Sequence, residues 1–200
     1  MNSASGQRRP RRGKYVVALI ILIGTLPLLG SYALYLFWRP ETFVNYGELI
    51  KPVPLAEISL TERDGREFRF ADLRGSWVLL TVDAGACDSH CRQKLHYLRQ
   101  VRLTQGRHQD RIERVWLISD GLRPSVALDE EYGGTRTVIL EHPGFLGRLP
   151  AAQSPTEHIY IIDPLGNLMM RFPRVIDPGR MKKDLARLVG HSDGWRRIKR

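Results

Sequence analysis

From Tyr15 to Trp38 the chain carries no charged residue, and its apolar run Val16–Phe37 covers 22 positions. At about 1.5 Å of rise per residue, a helix of that length reaches about 33 Å, enough to cross a hydrocarbon layer about 30 Å thick. Gly24 and Pro27 fall inside the run, and membrane helices tolerate both. A secretory signal peptide has an apolar core of about 7–15 residues, shorter than this one, so the run is expected to remain as an uncleaved anchor. Arg8, Arg9, Arg11, Arg12 and Lys14 precede it, and only Arg39 follows closely. Positive charge stays on the cytoplasmic side, so the N-terminus is expected in the cytoplasm and everything after Trp38 outside it. The Arg-rich head lacks the Ser-rich, amphipathic character of an organellar transit peptide. It fits a bacterial inner membrane, with the C-terminal part in the periplasm.

The net charge of +10 invites a nucleic-acid reading, but its distribution argues against one. Five positive charges sit in the head and four more on Arg196, Arg197, Lys199 and Arg200, which leaves the body close to neutral. A nucleic-acid binder concentrates charge on a folded face. Topology explains the head, and the tail reads as a solvated end.

The expected organisation is a basic head at 1–14, a membrane helix at 15–38, an extended tether at 39–56, a folded domain at 57–190 and a basic tail at 191–200. Pro40, Pro52 and Pro54 break any helix in the tether. Ile58–Leu60 and Arg66–Phe70 alternate apolar and polar residues around an Asp64-Gly65 turn, the pattern of a strand pair. Trp77–Val82 is a nearly continuous apolar run, as expected of a strand buried on both faces. A helix is expected from Cys87 to Thr104, with Leu95, Leu98 and Val101 at helical spacing. Val115–Ile118 and Thr137–Leu140 read as strands, with a short helix at 124–132 between them. His158–Ile162 and Leu168–Phe172 read as a hairpin about Asp163–Asn167. Asp177 and Pro178 supply a helix start that runs to Gly190. This order of elements is that of an α/β, thioredoxin-like domain.

Cys87 and Cys91 are the only cysteines. Residues four apart on a helix lie on one face at about 6 Å, close enough to form a disulfide. A bridge over so short a loop removes little unfolded-chain entropy, so a purely structural role gains least at this spacing. At a helix N-terminus Cys87 would have its thiolate favoured by free N–H groups and the macrodipole, making it the nucleophile and Cys91 the resolving partner. Two thiolates also make a soft site for Cu(I), or for Cu(II) when an imidazole joins them. Structural zinc normally takes four ligands, and no second thiol pair exists. Third-ligand candidates are His90, His96, His108, His142, His158 and His191. His158 leads, because it opens the strand after Pro155. His90 is expected to rotate toward solvent. Met169 and Met170 are explained by an apolar strand.

The anchored topology, Trp77–Val82, the Cys87-x-x-x-Cys91 spacing and the Asp163-Pro164-Leu165-Gly166 hairpin together resemble the Sco/SenC family. Asn45–Leu49 and Asp163–Pro173 are similar to small bacterial transmembrane relatives of that family. The resemblance implies a thioredoxin-fold copper chaperone that helps assemble the binuclear copper centre of cytochrome c oxidase. Its cargo would be copper, its partner an oxidase subunit or another copper or thiol protein, and Cys87 and Cys91 the copper-binding, redox-active thiols. The family's metal-binding histidine lies about eight residues before the turn, whereas His158 lies five before Asp163, so His158 is the counterpart if the loop there is remodelled. Asp88-Ser89-His90 and Arg92 stand where that family usually carries prolines around its cysteines. Two other functions share the fold: a general thiol–disulfide oxidoreductase, and a non-catalytic scaffold with the cysteines as a local staple.

Overall fold

The computed structural model describes residues 12–37, 45–55, 58–140 and 143–192. Arg8, Arg9 and Arg11 of the head, the tether at 39–44, Glu57, His142 and the tail arginines and lysine lie outside the described residues. The chain separates into two units, Met1–Val44 and Asn45–Arg200. In the first, α1 (Arg12–Phe37) contains Pro27. Its stretch Gly13–Leu36 is long and apolar enough to cross a membrane, and none of it is buried against protein. The hydroxyl of Thr25, polar in an apolar helix, donates to the Ile21 carbonyl at 2.9 Å, which satisfies it without water.

The second unit is built on β4 (Trp77–Asp83), all seven residues of which are buried. Such a strand needs cover on both faces, which accounts for its unbroken apolar run. It pairs in parallel with β5 (Ile112–Ile118) and antiparallel with β7 (Ile159–Ile162). Beyond β5 lies β6 (Arg136–Ile139), and beyond it the hairpin of β2 (Ser59–Glu62) and β3 (Glu67–Arg69). On the other side β7 turns into β8 (Asn167–Arg171), and β1 (Glu48–Pro54) closes that edge. Phe70, Leu80, Val115, Tyr160 and Leu168 fill one face of the sheet. Leu79, Ile161 and Phe172 fill the other, beneath Leu98 of α2 (Ser89–Leu103) and Leu185 of α4 (Pro178–His191). Each fully buried leucine contributes about 1.5–3 kcal/mol.

Two elements differ from the sequence expectation for identifiable reasons. Residues 48–54, read as tether, form an edge strand, where prolines at 52 and 54 are tolerated because only one side pairs. Strand β5 starts at Ile112, before the apolar run. Its Arg114 is buried and donates from Nη2 to the Gly133 carbonyl at 2.8 Å, so a charged residue hid the strand's first turn of alternation. The short helix is α3 (Val126–Glu131).

Helix α4 begins as expected, with the Asp177 carboxylate accepting from the N–H groups of Gly179 and Arg180. It runs one residue past Gly190. Its Asp184 is buried and accepts from the backbone N–H groups of Tyr46 and Gly47 at 2.7 and 2.8 Å. A Cβ at Gly47 would come within 2.6 Å of the Met170 sulfur, so the chain passes there without a side chain. Asp184→Ala strands two inward-facing N–H groups and is expected to lower unfolding free energy by about 1–3 kcal/mol. Denaturant melting of the full chain in detergent micelles measures it.

Candidate functional site

The cysteines lie where β4 hands over to α2. Asp88 caps α2, its Oδ1 accepting from the Cys91 N–H at 2.8 Å. The helix therefore starts at Ser89 rather than Cys87, since an aspartate is a far better N-cap than a cysteine. Cys87 stays outside the helix with φ +45°, in the left-handed region that non-glycine residues rarely adopt. That turn brings the two Cα atoms to 5.1 Å, and the residues are joined as a disulfide. Gly85 makes the loop possible: a Cβ there would collide with the Leu122 carbonyl, and its N–H donates to Asp120 Oδ1 at 3.0 Å.

Cys87 and Cys91 are 3 % and 1 % exposed, so the pair is recessed rather than displayed. Both nevertheless line a cavity of about 360 Å³, together with Asp83, Asp88, His90, Thr156, Glu157 and Arg174. Arg174 and Glu157 pair across its rim at 3.2 Å. A cavity of about 390 Å³ near Arg63 and Asp129 is larger, but Arg63 pairs with Asp129 and Glu62 with Arg66 and Arg136. The reactive group is in the smaller one.

Beneath the disulfide is a feature the sequence reading missed. Lys94, one turn beyond Cys91, is wholly buried. Its ammonium lies 2.8 Å from Asp83 Oδ2 and also donates to the carbonyls of Val82 (3.2 Å) and Thr156, which uses all three of its protons. Thr81 Oγ1 donates to the same Asp83 oxygen at 3.0 Å. Burial pushes the Asp83 carboxyl above its usual range, opposed by the Lys94 charge. Burial pushes Lys94 down, opposed by Asp83. The available signal was a lysine on the apolar stripe of Leu95 and Leu98, below an aspartate closing an apolar strand.

The histidines divide differently from expectation. His158 Nδ1 donates to the Phe172 carbonyl at 2.7 Å, and its buried Nε2 has no hydrogen-bond partner among the described residues. Its ring packs edge-on against Tyr160, on the sheet face opposite α2, and it does not line the cysteine cavity. His90, expected toward solvent, lines that cavity, and its buried Nε2 has no hydrogen-bond partner among the described residues. His96 and His191 are exposed, and His191 Nδ1 meets the Arg187 carbonyl. Among the described residues, no group of three or more His, Cys, Asp or Glu side chains is already gathered as a metal site.

Residues 77–192 match the family model described as "Transmembrane-like, thioredoxin-like, C-terminal domain". The chain belongs to this transmembrane-like, thioredoxin-like family. No curated protein matches the sequence. Among solved structures, yeast Sco1 with copper bound is 17 % identical, with TM-score 0.59 over 70 % of this chain and 95 % of that one. A SCO1/SenC family lipoprotein from Bacillus anthracis is 15 % identical, with TM-score 0.55 over 70 % and 99 %. BsSco, described with a disulfide switch and as a member of the Sco family of cytochrome c oxidase assembly proteins, is 10 % identical, with TM-score 0.51 over 74 % and 95 %. At these identities the likeness is one of fold. This transmembrane-like, thioredoxin-like protein thus has Sco1/SenC proteins as structural neighbours, and it carries its disulfide between the end of β4 and the first turn of α2.

Proposed function

We propose that the domain, held by α1 on the periplasmic face of a bacterial inner membrane with the 1–14 head in the cytoplasm, is an assembly factor. It exchanges thiol and disulfide with a cysteine pair on a copper protein, a cytochrome c oxidase subunit foremost, and carries Cu(I) as cargo when reduced. The observation that carries this reading is the Cys87–Cys91 disulfide on the wall of an open cavity. A bridge over so few residues contributes little as a staple, which leaves chemistry as its use. Once reduced, Cys87 and Cys91 offer Cu(I) two soft donors. His90, with its unpaired Nε2 in the same cavity, is the nearer imidazole; His158 would serve only after a rearrangement of the strand's approach. The Sco fold supports the oxidase as target by analogy.

The test uses the full chain in detergent micelles, equilibrated in glutathione redox buffers and then challenged with a chromogenic Cu(I) chelator. The disulfide is expected to titrate above about −300 mV, the region of exchangeable bonds. The reduced protein is expected to withdraw Cu(I) from the chelator and the oxidised protein to leave it. A bond that stays closed throughout would sink the exchange reading. Failure of the reduced protein to take copper would sink the cargo reading alone.

A further inference from the structure

We propose that the outward face of α4 docks on anionic phospholipid headgroups of the bilayer that α1 crosses, holding the domain against the membrane surface. The proposal needs α1 as an anchor and is independent of the chemistry at the cysteines. Between Pro178 and His191 the exposed Asp, Glu, Lys and Arg side chains are all positive: Arg180, Lys182, Lys183 and Arg187. The one acid in the helix, Asp184, is 2 % exposed and turned into the fold, where the Tyr46 and Gly47 N–H groups occupy its Oδ2. Arg187 lies 3.9 Å from the other oxygen, with its own side chain half exposed. Elsewhere the surface mixes signs, as Arg66, Glu62 and Arg136 do in one ion-pair network.

Arg180, Lys183 and Arg187 are three and four apart and share one side of the exposed surface. Lys182 is on the other side, with Ala186 and Gly190 between. The centre of the face is therefore low, and the long basic side chains on its flanks can reach a planar layer of phosphates while their stems pack along it. The tether ends on this same helix. Seven residues, 38–44, separate α1 from Asn45, and at about 3.6 Å per step the chain between Phe37 and Asn45 spans at most about 29 Å. Tyr46 comes next, bonded to Asp184 through its N–H, and its ring centroid lies 4.4 Å from the Arg180 guanidinium. Whatever the arrangement of the two units, the basic helix is bound to the first residues that follow the tether. So short a linker keeps the headgroups at high effective concentration, where modest attractions suffice. Each Lys or Arg at an anionic surface strengthens binding about five-fold. A docked domain presents the sulfur cavity to partners in the same membrane in few orientations, which removes part of the search that slows association.

The experiment uses the full chain, disulfide intact, in lipid nanodiscs, with a photoreactive p-benzoylphenylalanine at a single position. Ala186→p-benzoylphenylalanine reports what touches the middle of the face. Val126→p-benzoylphenylalanine, on α3 and also exposed, measures chance collision. In discs of phosphatidylglycerol with phosphatidylcholine, illumination is expected to add a lipid mass far more often at 186 than at 126. The excess should vanish in discs of phosphatidylcholine alone, and in about 1 M salt, where charges are screened beyond about 3 Å. Lys182→Gln with Lys183→Gln should weaken docking about 25-fold, two losses of about five-fold each, read as a drop in lipid adduct. Equal adduct at 186 and 126 in the anionic discs overturns the proposal, and so does an excess at 186 that ignores salt and lipid charge. In cells, an adduct of protein mass at 186 overturns it by assigning the face to a protein partner. The salt and lipid series leaves the basic residues in place, so it decides the case even where the double substitution unfolds α4. A full chain that does not enter the discs overturns the anchor and this proposal with it, a result separate from any failure of thiol exchange.

Discussion

Lys94→Met is expected to lower unfolding free energy by about 3–5 kcal/mol at neutral pH, the cost of removing one member of a buried pair. The methionine fills much of the lysine's volume, so the loss comes from the Asp83 carboxylate left in an apolar setting with Thr81, among the described residues, to bond it. The sign of the pH dependence follows. Burial already raises the Asp83 carboxyl, and the Lys94 charge opposes that rise; without the lysine the folded-state value climbs further. A group whose folded-state value exceeds its unfolded one binds more protons when folded, so stability falls as pH rises. The variant should therefore approach wild-type stability in acid below the unfolded carboxyl range and lose it on the way to neutrality. Denaturant melts of the full chain at a series of pH values measure this, and a pH-independent deficit would count against a charge-based cause.

Replacing both cysteines, Cys87→Ser with Cys91→Ser, should separate chemistry from stability. The closed loop is short, and the chain-entropy relation gives about 2 kcal/mol for it, less than the lysine substitution costs. Exchange with dithiols and retention of Cu(I) should instead disappear entirely, since hydroxyls neither form the bond nor bind soft metal. In cells that depend on this chain, oxidase activity is the second measurement. Intact activity with the doubly substituted protein would leave only a scaffold role standing.

What could be read from the residues alone is whatever rested on strong local signals. The charge-free run became α1, the apolar run became β4, the Asp163–Asn167 turn joined β7 to β8, and Asp177 capped α4. Edge strand β1 was hidden because prolines and a lysine in Glu48–Pro54 look like tether, and pairing on one side only is decided by the distant β8. At the site, both cysteines were legible by count, but their geometry was not. Asp88 competes for the cap and moves the helix start beyond Cys87, and the cavity that His90 lines is walled in part by Thr156, Glu157 and Arg174 from distant stretches of the chain. Lys94 escaped because helical periodicity identifies a stripe by its apolar members, whereas a buried charge is explained only by its partner on another element.

The two hydrogen bonds from Tyr46 and Gly47 to Asp184 bear on how the domain is cut for solution work. The Tyr46 hydroxyl also joins the carbonyl of Val175 to the N–H of Asp177, in the loop that carries Arg174 to the cavity rim. A soluble fragment begun at Glu57, where the folded region looks to start, would discard this clasp together with a whole border strand. It would leave the helix carboxylate facing an empty slot and loosen the rim of the sulfur cavity. The shortest fragment that can report native redox behaviour starts at or before Asn45.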